Sequence, residues 1–196
     1  MTAGSGITHS ERFETHRARG GTLHGIQAWV ALPDGQEEIA PAFANHGPSD
    51  LPTYETGGLW ARLIAGKGWG AQSRVKTHSP MFYCHWRLTA GARAELPAEY
   101  PERAAYVVDG NVEVDGRTIR AGQMAVFAPG QPVLFTAVTA ATVMLLGGEP
   151  VGPRFLEWNF VSSSKDRIEQ AKADWRAGRM KLPDADDKEF IPLPGE

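Results

Sequence analysis

The sequence predicts an all-β protein, a barrel or sandwich of short strands, followed by one short C-terminal α-helix. Twenty-two Gly and 14 Pro separate short runs of β-branched, aromatic and aliphatic residues, which is typical of many short strands. Two Asp-Gly pairs supply the positive φ angles that tight hairpin turns require. Near the end of the chain, apolar residues recur instead at the spacing of one helical face.

The clearest strands lie in the middle of the chain, and the two Asp-Gly turns connect the first three of them. The predicted strands there are 104–108, 111–114, 117–120, 124–128, 133–138 and 142–146. Their close succession predicts an antiparallel meander. Upstream, aromatic and β-branched residues predict further strands at 23–32, 59–65, 70–76 and 81–89. The polar, Pro-containing segment ANHGPSDLPTYETGG is interpreted as a domain boundary.

The segment SSSKDRIEQAKADWRAG predicts the C-terminal helix. Ile168, Ala171, Ala173 and Trp175 recur at spacings that approximate one helical face. Ser162 or Ser163 can cap the first turn, and Gly178 suits the end of the helix.

Charge and composition narrow the possible partners. The 20 Lys and Arg are scattered among 23 Asp and Glu, so no basic face for direct nucleic-acid binding is expected. No apolar run approaches the roughly 20 residues that span a bilayer, so no membrane association is expected. Cys84 is the single cysteine and the first residues lack the apolar core of a secretory signal, which predicts a soluble, cytoplasmic protein.

His9 and Glu11 are the first candidates for a metal site. They are two residues apart, so in an extended strand both side chains leave the same face and can meet one ion. Taken alone, a solvated surface pair is the stronger alternative, because His-x-Glu pairs arise often by chance. His78 and His85 are seven apart and would face opposite sides of one strand, whereas His24 suits a half-buried histidine bonded to backbone or water.

Other chemistry has less support. Cys84 stands between Tyr83 and His85 in an apolar strand, which favours a structural thiol over an activated nucleophile. The six tryptophans are interpreted mainly as core, with a pocket for a planar aromatic ligand as the alternative. The chain contains neither the G-x-S-x-G motif of hydrolases nor a nucleotide-binding Gly-rich loop.

Several longer segments together resemble the pirin family. These are GSGITHSE, GGTLHGIQAWVALP, RLTAGARAELPAEYPERAAYVVDGNVEVDG and LLGGEPVGPRFLEWNFVSSSKDRIEQAKADW, which cover nearly the whole chain in this order. Pirins are bicupins, so the resemblance implies a cupin fold, a double-stranded β-helix or jelly-roll barrel. It divides the chain into the last strands of an N-terminal barrel (1–38), a C-terminal barrel (39–150), and a terminal strand, helix and tail (151–196).

The resemblance also implies a metal site, with iron as the expected divalent metal. In the family, three histidines and one glutamate of the N-terminal barrel hold the ion, and His9 and Glu11 match the last two of these ligands. The first two come from a His-x-His motif several strands earlier, so we expect a chain that lacks most of this barrel. Leu96, Val133 and Leu134 stand where a metal-binding barrel would have ligands, so the second barrel is expected to be metal-free and filled by apolar side chains.

Two functions follow from the resemblance. One is oxygen-dependent cleavage of a flavonol such as quercetin, with His9 and Glu11 as metal ligands and Glu11 also able to accept the flavonol proton. The other is a non-enzymatic binding or regulatory protein that is catalytically silent in this shortened form. Strand edges left uncovered by an incomplete barrel would favour a homo-oligomer.

Overall fold

Strands dominate the middle of the computed structural model, which describes residues 1–195. Residues 45–150 form one compact unit, named the barrel unit below, and residues 1–44 together with the chain from 151 onward form a second, named the terminal unit. The domain boundaries predicted from the sequence stay a prediction, because compactness does not identify residues 1–38 as part of another barrel.

The barrel unit contains a short 3-10 helix (Pro48–Asp50) and eleven strands. The strands are β1 (Thr53–Thr56), β2 (Leu59–Gly68), β3 (Ala71–Gln72), β4 (Met81–Leu88), β5 (Arg93–Leu96), β6 (Glu102–Asp109), β7 (Asn111–Val114), β8 (Arg117–Arg120), β9 (Met124–Phe127), β10 (Val133–Ala137) and β11 (Ala141–Gly148). All of the strands predicted in this part of the chain are present, although the one predicted at 70–76 is reduced to β3.

The strands form two antiparallel sheets rather than the predicted meander. One sheet has the order β1-β2-β4-β11-β6-β9, with β3 paired to β2, and the other has the order β5-β10-β7-β8. Strand β11 lies between β4 and β6, so strands distant in sequence are neighbours. The predicted meander was wrong because the pattern of apolar residues shows where a strand lies and which face it buries, but not which strands are its neighbours.

The two Asp-Gly pairs play different roles in these sheets. Asp115 (φ 49°) and Gly116 (φ 72°) form a tight turn between β7 and β8, as predicted. Gly110 also has a positive φ, of 75°, but it lies between β6 and β7, which belong to different sheets. A Cβ at Gly110 would lie 2.0 Å from the carbonyl oxygen of Ala140. The close approach of this backbone is therefore a second reason why the position requires glycine.

The barrel interior is filled by apolar side chains. Alternate residues of β2 and β4 point inward, and the largest fully buried side chains include Trp86, Phe82 and Phe135. Leu96 and Val133 are buried and lie opposite each other on β5 and β10, as expected for a filled barrel. Leu134 departs from that expectation, because its position in the alternation turns it outward, where it is 42% exposed.

The terminal unit has few regular elements. These are helix α1 (Glu14–Arg19), the paired strands β12 (Phe155–Glu157) and β13 (Phe160–Ser162), helix α2 (Lys165–Arg176), and one bridge between Thr2 and Ala42. Among residues 1–195, none of the helices combines the length and apolar character needed to cross a membrane.

Helix α2 confirms the predicted C-terminal helix. Of the four residues predicted to share its apolar face, Ile168 and Ala171 are buried and Trp175 is partly buried, whereas Ala173 is exposed. The cap is Ser164, whose hydroxyl accepts a hydrogen bond from the N–H of Arg167 at 3.3 Å, so the prediction of Ser162 or Ser163 was wrong by one or two positions. Gly178, just after the helix, has a φ of 63°, as a helix-ending glycine requires.

The strand predicted at residues 23–32 is absent from the structure. This segment has no regular structure, and Leu23, Ile26, Trp29 and Val30 are about half exposed or more. A strand needs a neighbour for its N–H and C=O groups, and no described residue pairs with this segment. The apolar composition of this segment therefore indicated a preference for extended backbone, but it did not show that a paired strand forms.

Candidate functional site

His9 and Glu11 lie on a segment without regular secondary structure in the terminal unit, and both are exposed. Their neighbours at alternate positions all contact the C-terminal tail. Thr8 donates a hydrogen bond from Oγ1 to the carbonyl oxygen of Lys181, and Ser10 is hydrogen-bonded to Asp186. The tail therefore holds one side of this segment.

Arg12 makes the strongest of these tail contacts. Its Nε donates to Oδ2 of Asp186 at 2.6 Å, and its Nη2 donates to Glu189 at 2.8 Å and also bonds Asp186. The hydrogen bond from Arg12, followed by that from Ser10, holds the pKa of Asp186 below its usual range.

The two candidate ligands lie between residues that are bonded to the tail. Thr8 and Arg12, on either side of the pair, both bond the tail, while His9 and Glu11 are exposed. An imidazole nitrogen and a carboxylate oxygen are suitable donors for a divalent ion.

A complete metal site needs more than this pair. Within residues 1–195, no three side chains of His, Cys, Asp or Glu are grouped closely enough to hold a metal ion. The four-ligand iron site implied by the resemblance does not fit the described residues alone, and the assignment of His9 and Glu11 as ligands stays a prediction.

The remaining histidines are not brought together with His9. His24 is exposed, so the expectation of a half-buried position was wrong, since its segment is not part of a sheet. His85 lies on β4, half-buried, with its ring 5.4 Å from the ring of Trp60. Burial, and then the nearby Arg87 and Arg62, lower the pKa of His85, so its imidazole is neutral at pH 7.

Trp60 and its neighbours form a cationic cluster that the sequence reasoning missed. The guanidinium carbon of Arg87 lies 4.1 Å from the Trp60 ring centroid, and that of Arg62 lies 4.9 Å from it. Trp60 is in register with Arg87, and Arg62 with His85. Two i, i+2 pairs on adjacent strands, Trp-x-Arg and His-x-Arg, were the signal that could have predicted it.

Cys84 is fully buried in the barrel core. Burial raises the pKa of its thiol to about 12, so the thiol is protonated at neutral pH. This buried environment agrees with the structural thiol that the sequence favoured.

The tryptophans do not line one common pocket. Trp86 is fully buried and meets Trp69 and Phe135 edge to face, whereas Trp158 and Trp175 pack together in the terminal unit. Trp29 is 52% exposed. Core packing therefore explains Trp86, and the six tryptophans do not share one structural role.

Arg103 is a buried cation that the sequence did not single out. It is only 2% exposed on β6, and its guanidinium donates to the carbonyl oxygens of Pro97 at 3.0 Å and Ala128 at 2.6 Å. These bonds connect the segments that follow β5 and β9. The side chain thus ties together two turns of the barrel.

Two antiparallel sheets closed around an apolar interior, with β11 inserted between β4 and β6, define a protein of the cupin class. The family model described as the pirin C-terminal cupin domain matches residues 83–181. A pirin-like protein of Caulobacter vibrioides is 70% identical over 195 residues, which are 99% of this chain and 68% of that protein. The chain belongs to the pirin family.

Other relatives carry the name of an enzyme. A Pseudomonas aeruginosa protein provisionally named quercetin 2,3-dioxygenase is 35% identical over 187 residues, which are 91% of this chain and 56% of that protein. A crystal structure of quercetin 2,3-dioxygenase from Acinetobacter baumannii matches with a TM-score of 0.73 and 29% identity, covering 86% of this chain and 58% of that one. The chain spans between 56% and 68% of the length of these three relatives.

Proposed function

We propose that this chain is part of a metal-dependent dioxygenase that cleaves flavonols such as quercetin, with His9 and Glu11 supplying two of the metal ligands. The 35% identity over 187 residues to the provisionally named quercetin 2,3-dioxygenase of Pseudomonas aeruginosa carries this proposal. The resident metal in the proposal is divalent, with iron as its first candidate.

The tail contacts support this role for His9 and Glu11. Thr8, Ser10 and Arg12 are bonded to the tail, so the segment that carries His9 and Glu11 is held in place. Neither residue has a hydrogen-bond partner within residues 1–195, so both keep their donor atoms free. Glu11 is also free to accept the proton of a flavonol hydroxyl.

Two ligands do not hold iron firmly, so iron binding by this chain alone requires further donors from a second copy of the chain. This requirement is the part of the proposal that an experiment can test directly.

A non-enzymatic binding or regulatory role is the second candidate, and it makes no use of a pocket inside the barrel unit. Trp86, Phe82 and Phe135 occupy the space that a bound substrate would need in the barrel unit. In this role the barrel unit acts through its surface.

Metal content and quercetin turnover, measured on the same preparation, test the proposal. The chain is loaded with Fe²⁺ without oxygen, desalted and assayed by elemental analysis, and quercetin loss and O₂ uptake are then followed. His9→Ala is compared with His24→Ala, an exposed histidine of the same unit that serves as the matched control.

The enzyme proposal predicts bound iron and turnover that are lost in His9→Ala and retained in His24→Ala. An absence of both iron and turnover in the unmodified chain would reject it for this 196-residue form. Iron that remains bound in His9→Ala would show that His9 is not a metal ligand.

A further inference from the structure

Strand β9 is an open edge of the seven-stranded sheet. Its only partner among the described strands is β6. Met124 is 56% exposed and Val126 is 78% exposed, which makes Val126 the most exposed of the large apolar residues recorded in the structure. An open edge that carries exposed apolar side chains is a template for another strand.

The other sheet edges are protected by charge, whereas β9 is not. Glu55 lies on edge strand β1, Arg93 and Glu95 on β5, and Arg117 and Arg120 on β8. Strand β9 reads Met-Ala-Val-Phe, and residues 121–148 contain no Asp, Glu, Lys or Arg at all. Charged residues on an edge oppose pairing with other chains, so of the four strands at the ends of these two sheet orders, β1, β9, β5 and β8, only β9 lacks that protection.

The backbone of β9 presents hydrogen-bonding groups to this open side. Val107 on β6 donates to the carbonyl oxygen of Gln123 at 3.0 Å and accepts from the N–H of Gly122 at 2.8 Å. Bonded positions recur every second residue in an antiparallel ladder, so Ala125, opposite Ala105, also turns its N–H and C=O toward β6. The N–H and C=O groups of Met124 and Val126 therefore point away from β6.

We propose that β9 is the interface through which two copies of this chain form a dimer. The two β9 strands run antiparallel about a two-fold axis, with Ala125 opposite Ala125 of the second copy. Met124 then lies opposite Val126 of the second copy, and the reciprocal pair is equivalent, so the free N–H and C=O groups of both residues are all bonded.

The charge and shape of the edge favour a second copy as the occupant. Two identical charged edges would bring like charges together, as Glu55 would on β1, but two uncharged β9 edges do not. The small side chain of Ala125 lies at the axis, and the apolar Met124 and Val126 face each other on one side of the extended sheet.

The apolar surface continues from β9 across the same face of the sheet. Met124 is in register with Tyr106, and Tyr106 with Met144. Val126 is in register with Ala104, and Ala104 with Leu146. Met144 is only 8% exposed, so the open part of this apolar surface lies next to β9, and pairing through β9 would place two such surfaces side by side in one extended sheet.

Sedimentation equilibrium between about 1 µM and about 100 µM tests the dimer, in the range expected for a small interface. Val126→Lys introduces a charge on the open edge, and Met124→Glu is a second variant in case the first fails to fold. Leu134→Lys is the matched control, because Leu134 is also an exposed apolar residue but lies on β10, which has neighbours on both sides.

The proposal predicts a dimer at the highest concentration, a dissociation constant at least about tenfold higher in Val126→Lys and in Met124→Glu, and no change in Leu134→Lys. A chain that remains monomeric at about 100 µM would overturn it, as would a dimer that both edge variants leave intact. None of these variants touches His9 or Glu11, so the result is independent of metal binding and turnover.

Discussion

The barrel unit and the terminal unit are stabilised in different ways. Buried apolar side chains of both sheets fill the barrel unit, whereas the terminal unit relies on charged pairs that connect distant parts of the chain. Arg154, for example, bonds the carbonyl oxygen of Leu32 and the carboxylate of Asp34, and it also pairs with Glu37. Apolar burial does not depend on protonation and is not screened by salt, while ion pairs titrate with pH and, where exposed, are screened by salt, so the two units should respond differently to the same conditions.

Removing a large core side chain from the barrel unit should have the largest effect. Trp86→Ala creates a cavity among Trp69, Phe135 and neighbouring side chains, and we expect a loss of about 3–5 kcal/mol in the free energy of unfolding. Urea unfolding followed by far-UV circular dichroism measures it. Trp29→Ala, at an exposed tryptophan, is the control, and an equal loss in both variants would contradict a packed barrel.

Removing Arg154 should have a smaller effect, confined to the terminal unit. Its side chain is only 8% exposed, and its loss leaves the Leu32 carbonyl without this donor. We expect Arg154→Ala to destabilise the terminal unit by about 2 kcal/mol. Amide hydrogen exchange should become faster near residues 32–37 and stay unchanged in β4 and β11, and Arg179→Ala, a more exposed arginine, should not reproduce this result.

Acid should weaken the barrel unit slightly through His85. Burial, together with Arg87 and Arg62, lowers the pKa of His85 in the folded state, so the unfolded chain binds a proton first as the pH falls. Stability should therefore decrease as the pH falls from about 6.5 toward the folded-state pKa. His85→Gln should flatten this part of the pH profile in thermal unfolding, and an unchanged profile would contradict the assignment.

The contact between Arg12 and the tail should give the smallest effect, and one that depends on salt. The pKa of Asp186 is lowered in the folded state, so its contribution is present above about pH 3.9 and is lost as the pH falls through the folded-state value. At neutral pH, Arg12→Gln should speed hydrogen exchange in residues 181–189, and about 1 M salt should narrow the difference from the unmodified chain. Lys188→Gln is the control; if it had the same effect, Arg12 would not be the specific anchor.

Local patterns predicted much of the barrel unit. Short apolar runs between Gly and Pro residues identified β2, β4, β6 and β11, and the apolar spacing that begins at Ile168 identified α2. The same patterns failed for residues 23–32, because composition records a preference for extended backbone but supplies no neighbouring strand. They also failed for the pairing order, since contacts between β4 and β11 join residues about 60 positions apart.

The candidate site was predicted only in part. The i, i+2 spacing of His9 and Glu11 predicted that both would share one side of a strand, but the structure has no regular strand there, and their role as a ligand pair stays a prediction. The involvement of the tail was not predictable, because Arg12 and Asp186 are 174 positions apart and no local signal relates them. The cluster around Trp60 was missed for a similar reason, since it requires the register between β2 and β4.

The sequence by itself determined the positions of most strands in the barrel unit, the turn at Asp115-Gly116, the helix α2 and the membership of the pirin family. Each of these depends on residues close together along the chain or on a shared order of motifs. Only the tertiary structure decided which strands are neighbours, that Leu134 points outward, and that β9 is an edge without charge. The physical reason is that long-range pairing is selected by the burial and hydrogen bonding of the whole barrel, which no short segment encodes alone.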